Sequence, residues 1–451
     1  MTYRQLLREN ADFRRLWTGQ VVSEIGDWFN NIAVLALTIQ LAGRGREGQA
    51  VAFYAIARHL PLFVFGPIAG VVVDRVDRRR VMIVADWSRA VLALGFLLAN
   101  VWGKLPFIYL VGASLFAVSA FFNAAKRASI PNLVQGTNAL LNANSLSAST
   151  TAATIAVGSA LGGLLSTFAG RNPVFILNSI TFLISAEMIR RIRTVSNRQL
   201  AVGSENLDEE RELLKVKSRG RRLSLTTNRQ LPTAYWSDFR EGLRYVRSKD
   251  VLAAVFIVAA GWGLGNGVAR ALYSVFGARL GVMAVEGIVA RPTDFGISVL
   301  FIAMGLGGVL GAPIARRSNS AAGESLGTRM GRSLLFDGCG LVLFSFMPHL
   351  WGASLVLIAR EINFAIWWTA QQTLIMTRTE DRFAGRVFAS YETLTTLMMV
   401  GAMLIAGAAA DRFGIRPVAA TGGAVIALSG LMWFVLRRRR NANARVAGEI
   451  I

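Results

Sequence analysis

The chain has 451 residues, 53% of them hydrophobic and 17% charged, and its 49 Lys and Arg against 27 Asp and Glu give a formal net charge of +22. Soluble globular chains are about 45–50% apolar and about 25% charged, so the balance points to a protein in lipid and excludes a disordered chain, which needs low hydrophobicity. One cysteine, Cys339, excludes a disulfide scaffold, and two histidines beside it argue against a metal site.

Residues 1–15 are polar and basic, and the first apolar run is too long for the core of a cleavable signal. Runs of about 20 apolar residues match a hydrocarbon core about 30 Å thick. They cover 19–41, 50–73, 81–101, 106–125, 140–169 and 174–189, then 251–272, 295–315, 333–346, 350–376, 387–410 and 417–436. None alternates as barrel strands do, and an open sheet leaves its backbone unsatisfied in lipid, so each is predicted to be a helix. The expected fold is therefore an all-α membrane protein with twelve transmembrane helices.

The stretch between the sixth and seventh runs is charged, with Asp208-Glu209-Glu210-Arg211-Glu212 and Arg219 to Arg222, and reads as a cytoplasmic linker. Within it Phe239, Leu243 and Val246 have the spacing of an amphipathic helix on the membrane surface. This divides the chain into a six-helix bundle (1–190), a linker (191–250), a second bundle (251–436) and a basic tail (437–451).

Basic residues cluster in alternate loops: Arg75, Arg78, Arg79 and Arg80; Lys126 and Arg127; Arg316, Arg317, Arg329 and Arg332; Arg378, Arg382 and Arg386; and Arg437 to Arg440. The loops between hold Lys104 and Arg171 alone. By the positive-inside rule both termini are expected in the cytoplasm, with the protein multi-pass in the plasma (inner) membrane. A nucleic-acid binder would gather its charge on one soluble face with interleaved aromatics, so no nucleic-acid partner is expected.

The halves resemble one another. Pro67 and Pro313 end the second and eighth runs 246 residues apart, whereas Gly163, Gly170 and Pro173 each stand 244 residues before Gly407, Gly414 and Pro417. Such offsets mark a duplicated unit. With an even number of spans in each, the copies run parallel about an axis along the membrane normal.

A charge at mid-bilayer costs about 2.5–3.5 kcal/mol on insertion scales and is retained for function or pairing. Glu24 and Asp27 are three residues apart on one helix face, with Asn30 and Asn31 on the next turn. Arg58 and His59 lie midway along the second run, Asp86 and Arg89 in the third, Asp337 in the ninth, Arg360 and Glu361 in the tenth, and Glu392 in the eleventh. Asp27 is expected either to line a cavity and carry a proton or to pair with Arg58 or another cation. Asp86 and Arg89 are expected to pair and brace the neighbouring loop. Arg360 and Glu361 are adjacent and point to different faces, so only one can enter a cavity. His59 either senses pH or packs through a hydrogen bond. Together Glu24, Asp27, Asn31, Arg58, His59, Arg360 and Glu361 form the predicted substrate and ion pathway. Trp28, Phe29, Trp367 and Trp368 are candidate cavity aromatics, while Trp102 and Trp351 suit a membrane interface.

The loop Gly70-Val-Val-Val-Asp74-Arg75-Val-Asp77-Arg78-Arg79 resembles the signature G-x-x-x-D-R/K-x-G-R-R/K of the major facilitator superfamily, with Asp77 in place of a glycine. The resemblance implies the major facilitator fold of two parallel-repeat six-helix bundles, and a cytoplasmic latch formed by Gly70, Asp74, Arg75, Arg78 and Arg79. Phe13-Arg14-Arg15-Leu16-Trp17, Ser23-Glu24-Ile25-Gly26-Asp27-Trp28, Asp86-Trp87-Ser88-Arg89-Ala90, Glu241-Gly242-Leu243-Arg244 and Gly385-Arg386-Val387-Phe388 are similar to the macrolide-efflux and enterobactin-exporter branch. Gly158, Gly162 and Gly163 match the antiporter pattern G-P-x-x-G-G with Ser159 replacing proline, and are read as close-packing residues. The fourth run lacks the central arginine of many proton-coupled drug antiporters.

These features imply a secondary active transporter, not an enzyme, for efflux of a bulky amphipathic compound (drug, macrolide or siderophore) by alternating access coupled to a proton. The alternative is a lipid or lysophospholipid flippase on the same fold. No phosphate-binding G-x-x-x-x-G-K-[ST] loop is present, so an ATP-driven pump is not expected. No cofactor is implied. The expected partners are the small-molecule substrate, the coupling ion and the bilayer, and the protein is expected to work as a monomer.

Overall fold

The computed structural model describes residues 3–134, 137–193, 240–320 and 326–446. Most of the predicted linker, including Phe239 of its amphipathic segment, lies outside them. Every regular element among the described residues is a helix: α1 (Tyr3–Glu9), α2 (Ala11–Ala42), α3 (Glu47–Arg75), α4 (Arg78–Trp102), α5 (Leu105–Leu133), α6 (Thr137–Phe168) and α7 (Arg171–Arg190); then α8 (240–247); then α9 (Asp250–Val285), α10 (Pro292–Ser320), α11 (Leu326–Phe346), α12 (Leu350–Arg378), α13 (Asp381–Phe413) and α14 (Ile415–Val446). Ten are long and apolar enough to cross a membrane. The remaining long helices, α2 and α11, carry more polar and charged groups, and these are sheltered inside the bundle: Gln20, Ser23, Asn30 and Asn31 are buried in α2, and Arg329 and Asp337 in α11.

Several helices outrun their apolar stretches. Asn10 caps α2 nine residues before the apolar run begins at residue 19, its side chain accepting from Phe13 N at 2.8 Å. Asp77 caps α4 in the same way, accepting from Arg80 N at 3.0 Å, which accounts for the departure from glycine at that place in the loop. Helix α9 continues through the apolar residues after 272 to Val285.

The two sets of six long helices repeat one packing scheme. In the first set α3 packs on α5, α2 on α6 and α7, and α4 on α5 and α7; in the second α10 packs on α12, α9 on α13 and α14, and α11 on α12 and α14. Gly170 and Gly414, 244 residues apart, both hold left-handed backbone (φ 94° and 91°) between the fifth and sixth spanning helices of their halves, a conformation that disfavours any residue with a Cβ. The halves meet chiefly along two seams, α6 on α10 and α3 on α13.

With an even number of spans, both termini lie at one end of the bundle, and the opposite end is called the far end below. At the far end the seams are tight. A Cβ on Gly48 of α3 would stand 2.8 Å from Gly407 O and 2.9 Å from Asp411 Oδ1 of α13. At the termini end the same helices part: a Cβ on Gly66 or Gly70 of α3, or on Gly385 of α13, meets no described heavy atom within 4 Å.

Candidate functional site

Between the halves lies a cavity of about 1160 Å³. Its wall follows helical periodicity. From α3 come Val51, Tyr54, Ala55 and Arg58, and from α12 Glu361, Phe364, Ala365 and Trp368, each set at i, i+3, i+4 and i+7 and so on one face. Helix α9 adds Arg270, Tyr273 and Ser274, α2 adds Trp28 and Asn31, and α10 adds Phe301 and Met304. The wall is thus largely apolar and aromatic, with few polar groups.

Of the seven predicted pathway residues, Asn31, Arg58, His59 and Glu361 line the cavity. The Arg58 guanidinium lies 5.0 Å from the ring centroids of both Trp28 and Phe116 and donates to Asn31 Oδ1. Two rings at this distance attract the cation through their faces, and the hydrogen bond to Asn31 anchors one end of its fork. His59 Nδ1 donates to Ala55 O at 2.8 Å, one turn back, so the ring is tied to its own helix. Glu361 and its neighbour Arg360 separate as two adjacent helical positions must. Arg360 is 4% exposed; it pairs with Asp337 at 2.9 Å, donates from Nε to Asp337 O at 3.2 Å and also donates to the Tyr273 hydroxyl. It belongs to the scaffold behind the wall.

Glu24 and Asp27 lie off the wall. Glu24 accepts from Gln20 Nε2 at 2.8 Å, from Lys126 Nζ at 3.5 Å, and from the hydroxyls of Thr151 and Thr154 at 3.3 and 3.2 Å. Thr151 itself lines the cavity. Asp27 is partly buried, lies within the fields of Arg89 and Arg58, and makes no hydrogen bond or ion pair with a described residue. Asp86 and Arg89 pair with each other in the interior of the first half, where Arg89 stacks over Phe122 and Phe182 at 4.0 and 4.5 Å.

Arg270 escaped the sequence reading because it stands two residues from the expected end of its span, where a cation passes for a loop residue. In α9 it is fifteen residues from the helix end and exposed to the cavity. The same cost argument that singles out Arg58 would have found it had the span been drawn to its full length. Among the aromatics, Trp28 and Trp368 face the cavity, Trp367 is buried against Trp262 at 4.4 Å, and Phe29 packs where a Cβ on Gly162 would meet its Cα at 2.5 Å. Gly158 likewise admits Trp28, whose Cβ would lie 2.6 Å away, and Gly163 admits Ser298 of the other half. Trp102 and Trp351 are exposed at the far end.

The cavity is shut at the far end by contacts between the halves. Arg171 donates from Nε and Nη2 to the two Asp294 oxygens at 3.0 and 2.8 Å and from Nη1 to Gln40 at 2.5 Å, and Ser166 also reaches Asp294. Asp294 is fully buried. On the second seam Asp411 accepts from Gly48 N and Gln49 N at 2.8 and 2.9 Å, a carboxylate at a helix N-terminus. At the termini end the signature loop stays within its own half. Arg78 donates to Ala128 O at 2.7 Å, Arg79 to Ile189 O at 3.3 Å and to Arg190 O, while Asp74 and Arg75 are exposed. Among the described residues the loop makes no hydrogen bond or ion pair to α9–α14, as expected of a cavity open at that end.

Residues 6–212 match a family described as transmembrane secretion effector. Over 88% of each chain this protein is 27% identical to BacE of Bacillus subtilis, named as an inferred bacilysin exporter, and over 90% of each it is 22% identical to macrolide efflux protein A of Streptococcus pyogenes. A peptide transporter of the POT family solved with sulfate superposes with a TM-score of 0.67 at 12% identity, covering 97% of this chain and 98% of that one.

Proposed function

We propose that this chain, a membrane transporter of the major facilitator type and not an enzyme, exports bulky amphipathic compounds by alternating access in exchange for protons. The observation that carries this is the cavity itself. A space of about 1160 Å³ walled by Trp28, Tyr54, Phe301, Phe364 and Trp368 with a few charges suits a large, mostly apolar molecule oriented by a small number of polar contacts. Relatives named for bacilysin and macrolide export support the same direction and cargo type.

On this reading the termini end faces the cytoplasm, where cargo enters, and the protein sits in the plasma (inner) membrane as a monomer of two rocking bundles joined by the linker. The bundles exchange the far-end contacts for contacts at the termini end, where Gly70, Asp74, Arg75, Arg78 and Arg79 then meet the second half as a latch. Asp27 carries the coupling proton. It has no described partner, so its protonation removes a charge from a poorly solvated site and shifts the equilibrium between the two states by the difference in its environment. Glu24, held by four donors, is a fixed carboxylate one turn from Asp27.

The test is transport by purified protein in proteoliposomes with an imposed pH gradient, using erythromycin in one arm and a fluorescent lysophospholipid in the other. Erythromycin movement driven by the gradient, and lost in Asp27→Asn with folding intact, supports the proposal. Full transport by Asp27→Asn removes Asp27 from the mechanism, and gradient-independent movement of the lysophospholipid alone makes the protein a flippase.

A further inference from the structure

The polar groups on the cavity wall are unbalanced in a way that export of amphipaths in general does not require. Its charged lining residues are Arg58, Arg270 and Glu361, two cations from opposite halves against one carboxylate. Two further groups at the wall, Asn31 Nδ2 and Ser274 Oγ, are buried without a hydrogen-bond partner, although buried donors are ordinarily satisfied. Asn31 gives its oxygen to Arg58, which leaves its amide N–H groups over. Arg270 makes no ion pair with a described residue, yet lies close enough to Glu361 and Arg58 to feel both charges. The charged lining residues therefore leave the wall with one net positive charge beside an aromatic surface.

We infer that the cavity recognises an acid group on its cargo: a carboxylate of an amphipathic small molecule is received between Arg58 and Arg270, and its apolar body lies on Trp28, Phe301 and Trp368. Arg58 lies 5.0 Å from the ring centroids of both Trp28 and Phe116 and donates to Asn31, so its planar fork is anchored before the ligand arrives and matches the two oxygens of a carboxylate. Because the two arginines belong to α3 and α9, an acid bridging them ties the halves together and occupies the cavity at its centre. This rests on the exporter reading only in calling the ligand cargo.

The full chain in nanodiscs is titrated with N-dansyl-phenylalanine and with its carboxamide, following energy transfer from the cavity tryptophans. The expected result is acid binding at least tenfold tighter than amide, a preference that falls below twofold in Arg58→Gln and in Arg270→Gln, is only partly retained in Arg58→Lys, and is untouched in the control Lys104→Gln. Circular dichroism and gel filtration establish that each variant is folded. Equal affinity for acid and amide in the unaltered protein, or a preference that survives both glutamine variants, overturns the inference. Displacement of the acid by lysophosphatidylglycerol at equal concentration overturns it too, because the acid received would then be a lipid phosphate. Preferential acid binding without gradient-driven movement of either N-dansyl-phenylalanine or erythromycin in proteoliposomes leaves this site standing and sinks the exporter reading; gradient-driven erythromycin transport with no acid preference does the reverse.

Discussion

The two ends of helix α3 lie in opposite circumstances. At its start Gly48 touches Gly407 and Asp411 of the other half so closely that a methyl group has no room, whereas near its finish Gly70 faces open space. The same contrast runs across the molecule. Far-end charges bond between the halves, Arg171 to Asp294 and Asp411 to the start of α3, while termini-end charges such as Arg78 and Arg79 bond within one half. A rigid protein would have no reason to build one end as a seam and the other as two separate, internally satisfied surfaces. On the proposed exporter reading, the difference marks one of two states, with cargo access from the termini end, and the far-end contacts are those that must break to reach the other.

Substitutions that strike the two ends should therefore differ in size. The largest effect is expected from Asp294→Ala, which leaves Arg171 (9% exposed) without its buried partner. Breaking such a pair costs about 3–5 kcal/mol, and thermal unfolding in detergent should show a clear fall, smaller in the double variant with Arg171→Ala. Next comes Gly48→Ala, where overpacking against backbone costs about 1–3 kcal/mol and should open the far end, read as faster labelling of a cysteine introduced at Val51. Asp411→Ala removes the carboxylate that caps α3 from across the seam and should cost about 1 kcal/mol in the same unfolding assay. Gly70→Ala, on the same helix, should leave unfolding within about 0.5 kcal/mol, the ordinary range for sites free of contacts. If it slows transport nonetheless, the methyl group is felt in the state where the latch is closed.

Much of this was legible in the sequence, and the remainder was hidden for identifiable reasons. Hydropathy located the twelve long helices, ten of them long and apolar enough to cross a membrane, because lipid sets a minimum apolar length for a spanning helix, and the 244-residue spacing of Gly170 and Gly414 marked the repeat that the fold displays. The opposed directions of Arg360 and Glu361 followed from adjacent positions on a helix. What hydropathy understated was helix length, because Asn10 and Asp77 extend helices by capping and α9 continues past its most apolar stretch; Arg270 was lost to that error. The Arg171–Asp294 lock joins residues 123 apart in the chain and has no local signature. Glu24 and Asp27 share a helix face with the predicted spacing, yet the face they share looks partly toward α5 and α6, and a sequence does not say which neighbour a face will meet.

The central claim, that the two ends open in alternation, is tested most directly by electron spin distance measurements on the Cys339→Ser protein in nanodiscs. One label pair replaces Trp102 and Trp351, exposed at the far end on opposite halves, and the other replaces Arg80 and Arg378 at the termini end. On shifting from acidic to alkaline pH with cargo present, Asp27 loses its proton and the observed state is disfavoured, so the far-end distance should lengthen while the termini-end distance shortens. Distances that stay fixed, or that change in the same direction at both ends, would contradict it.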